Sequence, residues 1–133
     1  MTLREVLHAH IPTLTSASTL RDAVDKMDIY QFPALVVVNE DMGVEGVITE
    51  GDICRAISQH GSLLRMSGEP AHAFATLGPT TAHPDTEISD ALHQMLMSGI
   101  TLLPIEEHDR LIGLVLRVDL MQAMLMDSSE TIC

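Results

Sequence analysis

The chain has 133 residues, of which 46% are hydrophobic and 20% charged, and this size and composition predict a globular protein with a buried core. Its formal net charge is −12, with 19 acidic residues against 7 Lys and Arg, and aromatic residues make up only 2%. Such a chain repels nucleic acid and anionic lipid, and it lacks aromatic platforms for stacking single strands. The longest apolar run, residues 34–38, is too short to cross a bilayer, and residues 1–10 have no signal-peptide pattern. We therefore expect a cytoplasmic protein without nucleic-acid or membrane partners.

In chain order, the first half is predicted to contain a short strand near 12–15 and an amphipathic helix after Thr19. Strands at 34–38 and 44–49 and a helix over 50–60 follow. The second half repeats this order, with a strand near 79–82, a helix after Thr86, strands at 102–106 and 111–116 and a helix over 117–127. Each half therefore has the order β-α-β-β-α.

A repeated motif shows that the two halves are copies of one another. Residues 46–57, GVITEGDICRAI, return as residues 113–124, GLVLRVDLMQAM. Gly46 and Gly113 are 67 positions apart (113 − 46), as are Asp52 and Asp119 (119 − 52), whereas upstream pairs are 68 apart. The change of offset places a one-residue insertion in the loop 39–46 relative to 106–113, where insertions cost little.

The repeat predicts an α/β (α+β) fold in which two copies pack about a pseudo-twofold axis, because one copy cannot cover its own sheet on both faces. We divide the chain into repeat 1 at residues 1–60, a linker with one helical turn at 61–75, repeat 2 at 76–127 and a tail at 128–133.

The repeated G-h-h-[T/S]-x-x-D-h pattern, where h is an aliphatic residue, resembles that of a tandem CBS-domain pair, the Bateman module, over residues 5–127. The resemblance implies a regulatory module rather than an enzyme. It would bind an adenosine compound such as AMP, ADP, ATP or S-adenosylmethionine in clefts between the repeats and signal to a protein partner. It also implies a homodimer. A ligand-free dimerisation scaffold of the same fold is the alternative.

The same resemblance implies the roles of the motif residues. The aspartate accepts hydrogen bonds from both ribose hydroxyls, and a carboxylate has the two acceptor oxygens that this requires. Asp52 with Thr49 is the stronger candidate. Asp119 is the weaker one, because Leu116 stands where the threonine would be. The candidate residues for the adenine slot and the phosphates are Phe32, Pro33, Ala34, Ile100, Thr101, Leu102, Pro12, Thr80 and Arg117.

Each cleft of the family borrows residues from the opposite repeat. Asp52 would therefore face Ile100, Thr101 and residues 76–80, and Asp119 would face Phe32, Pro33 and residues 10–12. The ligand would be regulatory rather than a cofactor. The shortage of cations near the motifs means that a bare triphosphate would need a magnesium ion.

Less specific interpretations stand beside these. Thr49–Asp52 also fits a helix capping box, whereas Leu116 cannot form one, so the aspartate retained at 119 favours a further use. For Arg55, Arg65 and Arg117, the nearest cations, a solvated surface role is the alternative. His8 and His10 lack zinc-site spacing, so no metal site is predicted. One group of residues fits either a dimer interface or the core: Leu120, Met121, Met124, Leu125, Ile53, Cys54 and Ile57.

Overall fold

The computed structural model describes residues 1–127, and the predicted tail at 128–133 lies outside them. These residues form two compact units of mixed helix and strand. The first-repeat unit is Pro12–Pro79. The second-repeat unit combines Met1–Ile11 with the chain from Thr80 onward. The boundaries predicted from the repeat follow the order of the sequence, whereas the second-repeat unit joins Met1–Ile11 to the later part of the chain.

The first-repeat unit contains one four-stranded sheet. Its strands lie in the order β1 (Thr13–Leu14), β2 (Ala34–Val38), β3 (Val44–Thr49) and β4 (Thr76–Leu77). β1 is parallel to β2, and the other neighbours are antiparallel. The helices are α1 (Leu20–Tyr30), α2 (Glu50–His60) and the single turn α3 (Leu63–Met66), which lies in the predicted linker.

Helix α1 begins at a capping box. Thr19 and Asp22 form a reciprocal capping box at its start, with Asp22 N–H donating to the Thr19 hydroxyl at 3.2 Å and Thr19 N–H donating to the Asp22 carboxylate at 2.9 Å. Hydrogen bonding of the Asp22 carboxylate by the Thr19 backbone, and by its side chain, holds the pKa of Asp22 below its ordinary value. Leu20, Ala23 and Met27 are buried at helical spacing on one face. This face packs into a core shared with Leu14, Leu35, Val37, Ile48 and Ile53.

The second-repeat unit repeats this arrangement in outline. It contains α4 (Ile88–Ser98), the antiparallel pair β5 (Leu102–Glu107) and β6 (Arg110–Leu116), and α5 (Arg117–Met126). Single bridges replace the outer strands: Ala82 pairs parallel with Ile105, and His8 pairs antiparallel with Leu114. The core consists of Leu3, Ile88, Ala91, Met95, Leu103, Ile105, Val115, Leu120 and Ala123.

One prediction for this unit needs correction. The strand expected near 79–82 is reduced to the bridge at Ala82, because Pro79 and Pro84 on either side cannot donate to a longer ladder. The helix expected after Thr86 is present as α4, and the side chain of its N-terminal cap residue, Glu87, makes no capping hydrogen bond. The start of α4 therefore lacks the capping box that begins α1.

The one-residue insertion lies where the sequence places it. From Ala34 to Thr49 there are 16 residues (49 − 34 + 1), whereas the register-equivalent stretch from Leu102 to Leu116 has 15 (116 − 102 + 1). Five residues, 39–43, connect β2 to β3, while His108 and Asp109 alone connect β5 to β6. Both of these have positive φ angles, 55° and 62°, as a two-residue hairpin turn requires. The predicted change of offset is confirmed.

The motif glycines lie where a further chain segment approaches the sheet. A Cβ on Gly46 would lie 3.0 Å from the Thr76 carbonyl oxygen, and one on Gly113 would lie 2.5 Å from the His8 carbonyl oxygen. Thr76 and His8 are 68 positions apart (76 − 8), so they are equivalent in the repeat. The segment that precedes each repeat therefore adds to the sheet of the other repeat, and each sheet needs a glycine to admit it.

Arg4 anchors the N-terminal segment to the second-repeat unit. Its Nη2 lies 2.7 Å from Glu107 Oε2 and 3.2 Å from Asp85 Oδ1. The hydrogen bonds that Arg4 donates to Glu107 and Asp85 raise the pKa of Arg4, and Arg4 in turn lowers the pKa of Glu107. Two backbone hydrogen bonds between His8 and Leu114, of 2.9 Å and 3.1 Å, continue the attachment.

Candidate ligand-binding junctions

The first junction is the point at which β3 ends and α2 begins, from Thr49 to Asp52. Asp52 N–H donates to the Thr49 hydroxyl at 3.1 Å, and Thr49 N–H donates to Asp52 Oδ2 at 2.8 Å. The capping box proposed for these residues is therefore formed. The other oxygen of Asp52, Oδ1, is paired with the Arg55 guanidinium one turn along the helix. The Asp52 side chain is 10% exposed and that of Arg55 is 68% exposed.

The second junction, from Leu116 to Asp119, has the same backbone geometry without the hydroxyl. Leu116 N–H donates to Asp119 Oδ2 at 2.7 Å. This corrects the inference that Asp119 has no capping role there, because the backbone N–H of a leucine donates as well as that of a threonine. Half of the box is present, so the retention of Asp119 does not by itself indicate a ligand. The Asp119 side chain is 19% exposed.

His8 is the residue that sequence reasoning missed at this junction. Its Nε2 lies 2.9 Å from Asp119 Oδ2. The pairing of His8 with Leu114 brings it there, although 111 positions (119 − 8) separate His8 from Asp119. The available signal was the repeat itself, because His8 occupies the position equivalent to Thr76 on β4. One member of the His8/His10 pair is thus engaged with a carboxylate, and residues 1–127 hold no group of three metal-ligating side chains placed around one point.

Arg117, the first residue of α5, is tied to the entry of β5. Its Nε donates to the Ile100 carbonyl oxygen at 2.9 Å, and the side chain is partly buried. This corrects the expectation of a solvated surface role. Its equivalent in the first repeat is Glu50 (117 − 67), whose side chain is exposed. Glu50 N–H donates to the Pro33 carbonyl oxygen at 2.9 Å, so in both units the helix start is tied to the entry of the inner strand.

Within each unit, register places the predicted slot residues beside the junction. Ala34 pairs with Thr49, and Leu102 pairs with Leu116, and both Ala34 and Leu102 are buried. Phe32, Pro33 and Pro12 belong to the first-repeat unit with Asp52, while Ile100, Thr101 and Thr80 belong to the second-repeat unit with Asp119. Thr101 is exposed and Pro12 is buried. The predicted sharing of residues across the two repeats stays a prediction.

A pocket of about 550 Å³ opens on the helical side of the first-repeat unit, beside the first junction. Its size falls within the range of small-molecule sites. The predicted slot residues Phe32 and Pro33 line it, whereas Asp52 and Ala34 do not. The other apolar walls are Val24, Met27, Ile53 and Leu63, and the carboxylates of Asp28 and Glu50 lie at its edge.

The structure shows which of the residues predicted to lie in either the core or a dimer interface are buried and which are exposed. Leu120 and Ile53 are buried in the cores of their units. Met121 is 49% exposed and Leu125 is 78% exposed, and Cys54 is also exposed. Met124 and Ile57 are partly buried against the cores. Among the described residues, no helix has the length and apolar character needed to span a membrane.

Comparison with known proteins relates this geometry to characterised folds. An uncharacterized 17.7 kDa protein in the bps2 3′ region of Acidianus ambivalens is 34% identical over 108 residues, which are 80% of this chain and 63% of that protein. Arabinose 5-phosphate isomerase KdsD of Salmonella typhimurium is 26% identical over 90% of this chain but only 36% of its own length. The chain therefore spans about a third of the isomerase and less than two thirds of the archaeal protein.

Solved structures share the fold at low sequence identity. CBSX2 in complex with AMP has a TM-score of 0.82 and 19% identity, with 94% of this chain and 96% of that chain covered. The CBS domain pair of protein MJ0100, in complex with 5′-methylthioadenosine and S-adenosyl-L-methionine, has a TM-score of 0.78 and 21% identity, with 95% and 97% covered. The CBS domain profile itself matches this chain twice, at residues 3–59 and 72–126. The chain is a member of the CBS-domain family and carries two copies of the domain.

Proposed function

We propose that this CBS-domain pair is a regulatory module that binds an adenosine-containing ligand at its two strand–helix junctions and signals to a protein partner. The observation that carries the proposal is the repeated placement of one aspartate. In both junctions its Oδ2 is fixed by the backbone N–H of the last strand residue, at 2.8 Å and 2.7 Å. A carboxylate oxygen has two acceptor positions, so Oδ1 can accept hydrogen bonds from ribose hydroxyls, although at Asp52 the Arg55 guanidinium already takes one of them.

The two complexes of similar fold support the choice of ligand. AMP is bound in one, and 5′-methylthioadenosine and S-adenosyl-L-methionine in the other, and all three contain adenosine. The proposed role is regulatory rather than catalytic, and the match to the isomerase covers only 36% of that enzyme. A cytoplasmic location belongs to the same proposal, because a sensor of adenylates must meet the cytoplasmic nucleotide pool.

Thermal unfolding with AMP, ADP, ATP and S-adenosylmethionine at millimolar concentration tests this function. A ligand at 100 times its dissociation constant adds about 2.7 kcal/mol to the free energy of unfolding. For a chain of this size, the melting temperature then rises on the order of 10 °C. Replacing both Asp52→Asn and Asp119→Asn is expected to remove that rise.

Asp22→Asn is the matched control, because Asp22 caps α1 with the same chemistry as Asp52 caps α2. It should lower the melting temperature without ligand and leave the ligand-induced rise intact. If none of the four compounds changes the melting temperature, or if Asp22→Asn removes the rise as effectively as the double variant, the sensing function is wrong.

A dimerisation scaffold is the second candidate function, favoured by an exposed apolar surface on α4 and α5. The two helices pack against each other, and large apolar side chains lie at the surface of both. These residues are Leu96, Met97, Met121, Leu125 and Met126. Large apolar side chains exposed together on neighbouring helices are typical of association sites. We propose a homodimer that buries it, with or without ligand.

Size-exclusion chromatography with light scattering measures the mass of the protein in solution and so tests whether it forms this dimer. The wild type should have the mass of a dimer, and Leu125→Glu should reduce it to that of a monomer, because a buried charge without a partner is strongly unfavourable. Leu77→Glu is the control, since Leu77 is 64% exposed on β4, a strand of the first-repeat unit. A monomeric wild type, or equal dissociation by both variants, contradicts this interface.

A further inference from the structure

The two junctions carry side chains of different charge at equivalent positions. At the first helix position, the first junction has Glu50 and the second has Arg117. The ionisable residues beside Asp52 are Glu50 and Arg55. Beside Asp119 they are Arg117 and His8. The first junction therefore holds two carboxylates and one guanidinium, whereas the second holds one carboxylate, one guanidinium and one imidazole.

From this difference we infer that the junctions select adenosine compounds of different charge. The second junction takes the compound that carries a 5′-phosphate, and the first takes a compound without one. This inference rests on the proposed function and adds to it which chemical class each junction binds. It also reverses the ranking made from the sequence, in which the absence of a hydroxyl at Leu116 made the second junction the weaker.

Arg117 is placed to act as the phosphate-binding cation. The hydrogen bond of 2.9 Å from its Nε to the Ile100 carbonyl oxygen fixes the guanidinium, while its two Nη atoms make no hydrogen bond to residues 1–127. An anchored guanidinium presents parallel donors to phosphate oxygens with little loss of side-chain freedom. Because Ile100 precedes β5, the same hydrogen bond holds this cation beside the predicted adenine slot.

The cation of the first junction is engaged differently. Arg55 is 68% exposed and is paired with Oδ1 of Asp52, the oxygen that remains after capping. A phosphate would have to draw Arg55 away from that carboxylate while approaching the carboxylate of Glu50. Like charges at close range oppose binding, so phosphate is disfavoured here.

The start of α5 also suits an anion better than the start of α2. At the first junction the Thr49 hydroxyl accepts the N–H of Asp52, whereas Leu116 offers no side-chain acceptor to the N–H of Asp119. The start of α5 therefore keeps one more backbone donor for an anion than the start of α2. This contribution adds to that of Arg117, since unsatisfied N–H groups and the helix dipole both favour negative charge.

Adenosine and AMP are the probes, because they differ only by the phosphate. Isothermal titration of the wild type, Asp52→Asn and Asp119→Asn assigns each compound to a junction. We expect Asp119→Asn to remove AMP binding, and Asp52→Asn to weaken AMP binding less than about twofold while removing adenosine binding. Arg117→Gln should weaken AMP roughly 10-fold, the effect of one charge-assisted hydrogen bond, and should change adenosine binding less than about twofold.

The matched variants are Glu50→Arg and Arg117→Glu, which exchange charges at positions related by the repeat. Glu50→Arg should create AMP binding that depends on Asp52, and Arg117→Glu should remove the binding that depends on Asp119. Arg117→Lys keeps the charge without the anchored guanidinium and should lose less AMP affinity than Arg117→Gln. Melting temperatures without ligand verify that each variant is folded.

The results distinguish a failure of the charge selection from a failure of the proposed adenosine-binding function. If AMP and adenosine bind but AMP depends on Asp52, or if Arg117→Gln weakens both compounds equally, the charge selection is wrong and the sensing function stands. Equal loss of AMP in Arg117→Lys and Arg117→Gln likewise contradicts the role of charge. If neither compound binds the wild type, the proposed function fails and the selection fails with it.

Discussion

The two strand–helix junctions have one backbone arrangement and two sets of side chains. Asp52 and Asp119 both accept the N–H of the last strand residue, within 0.1 Å of the same distance (2.8 Å and 2.7 Å). Around this common element, a threonine is replaced by a leucine and a glutamate by an arginine. The comparison shows that the carboxylate is fixed by the needs of the backbone, whereas its neighbours are able to diverge. Similar folding and different ligand chemistry are therefore compatible within one chain.

The largest expected effect concerns the glycines that admit the additional strands. Gly113→Ala should lower the free energy of unfolding by about 3 kcal/mol, at the upper end of overpacking costs. The added Cβ would lie 2.5 Å from a backbone oxygen of His8 and 2.6 Å from Leu7 Cδ1. Gly46→Ala should cost about 1 kcal/mol, because the nearest atoms lie at 3.0 Å and 3.2 Å. Urea unfolding measures both, and equal costs would show that the two edges are equally tight.

The next largest expected change in the free energy of unfolding comes from the capping hydroxyl of Thr49, which the second junction lacks. Thr49→Ala removes the hydroxyl that accepts the Asp52 N–H and should cost about 1 kcal/mol in urea unfolding. Thr49→Ser keeps the acceptor and is the control, with a much smaller expected loss. If serine and alanine destabilise alike, the hydroxyl does not contribute, and the two junctions differ less than their structures indicate.

The helices that begin after the outer strands should differ in their response to acid. Asp22 has a lowered pKa because Thr19 donates hydrogen bonds to its charged form, whereas Asp90 occupies the equivalent position on the uncapped α4. A lowered folded-state pKa gives stability above the ordinary value of 3.8 that is lost as pH falls through the folded-state value. Asp22→Asn should therefore destabilise at pH 7 and much less at pH 3.

Asp90→Asn provides the comparison for that titration. It should leave stability nearly unchanged at both pH values, because no capping hydrogen bond reaches α4 from Glu87. An equal pH dependence in the two variants would mean that general charge repulsion, rather than the capping box of α1, causes the acid response.

The smallest effects are expected from the ion pairs of the two aspartates. His8→Gln and Arg55→Gln should each change the free energy of unfolding by less than about 1 kcal/mol, since partly exposed pairs contribute little. Added salt should shrink the loss further, because it screens exposed charges. A loss well above that bound for His8→Gln alone would show that the histidine supports the attachment of the N-terminal segment as well as the carboxylate.

Much of the fold could be predicted from the sequence, because the chain contains two copies of the same pattern that can be compared with each other. The order of elements and the position of the insertion follow from comparing residues at an offset of 67 or 68, and the capping box at Thr49 follows from its spacing to Asp52. The prediction failed where a long-range contact determined the result. His8 reaches Asp119 through a bridge to Leu114, and no local pattern around His8 indicates that pairing.

The charged residues of the candidate site were the least predictable for a related reason. Arg117 follows a strand and begins a helix, a position from which a side chain normally extends into solvent. Its hydrogen bond to Ile100 depends on the distance between two loops that only the folded sheet brings together. Residue type could identify Arg117 as a cation near the motif, but only the fold shows that it is anchored.

The assignment of residues 1–11 to the second-repeat unit has a consequence for synthesis on the ribosome. Pro12–Pro79 contains all the residues of the first-repeat unit, so that unit can fold as soon as this stretch has emerged. Residues 1–11 are made before the first-repeat unit, but their backbone partners Pro84, Thr86 and Leu114 are made after it. This segment therefore reaches its native position only after a unit that is synthesised later than it.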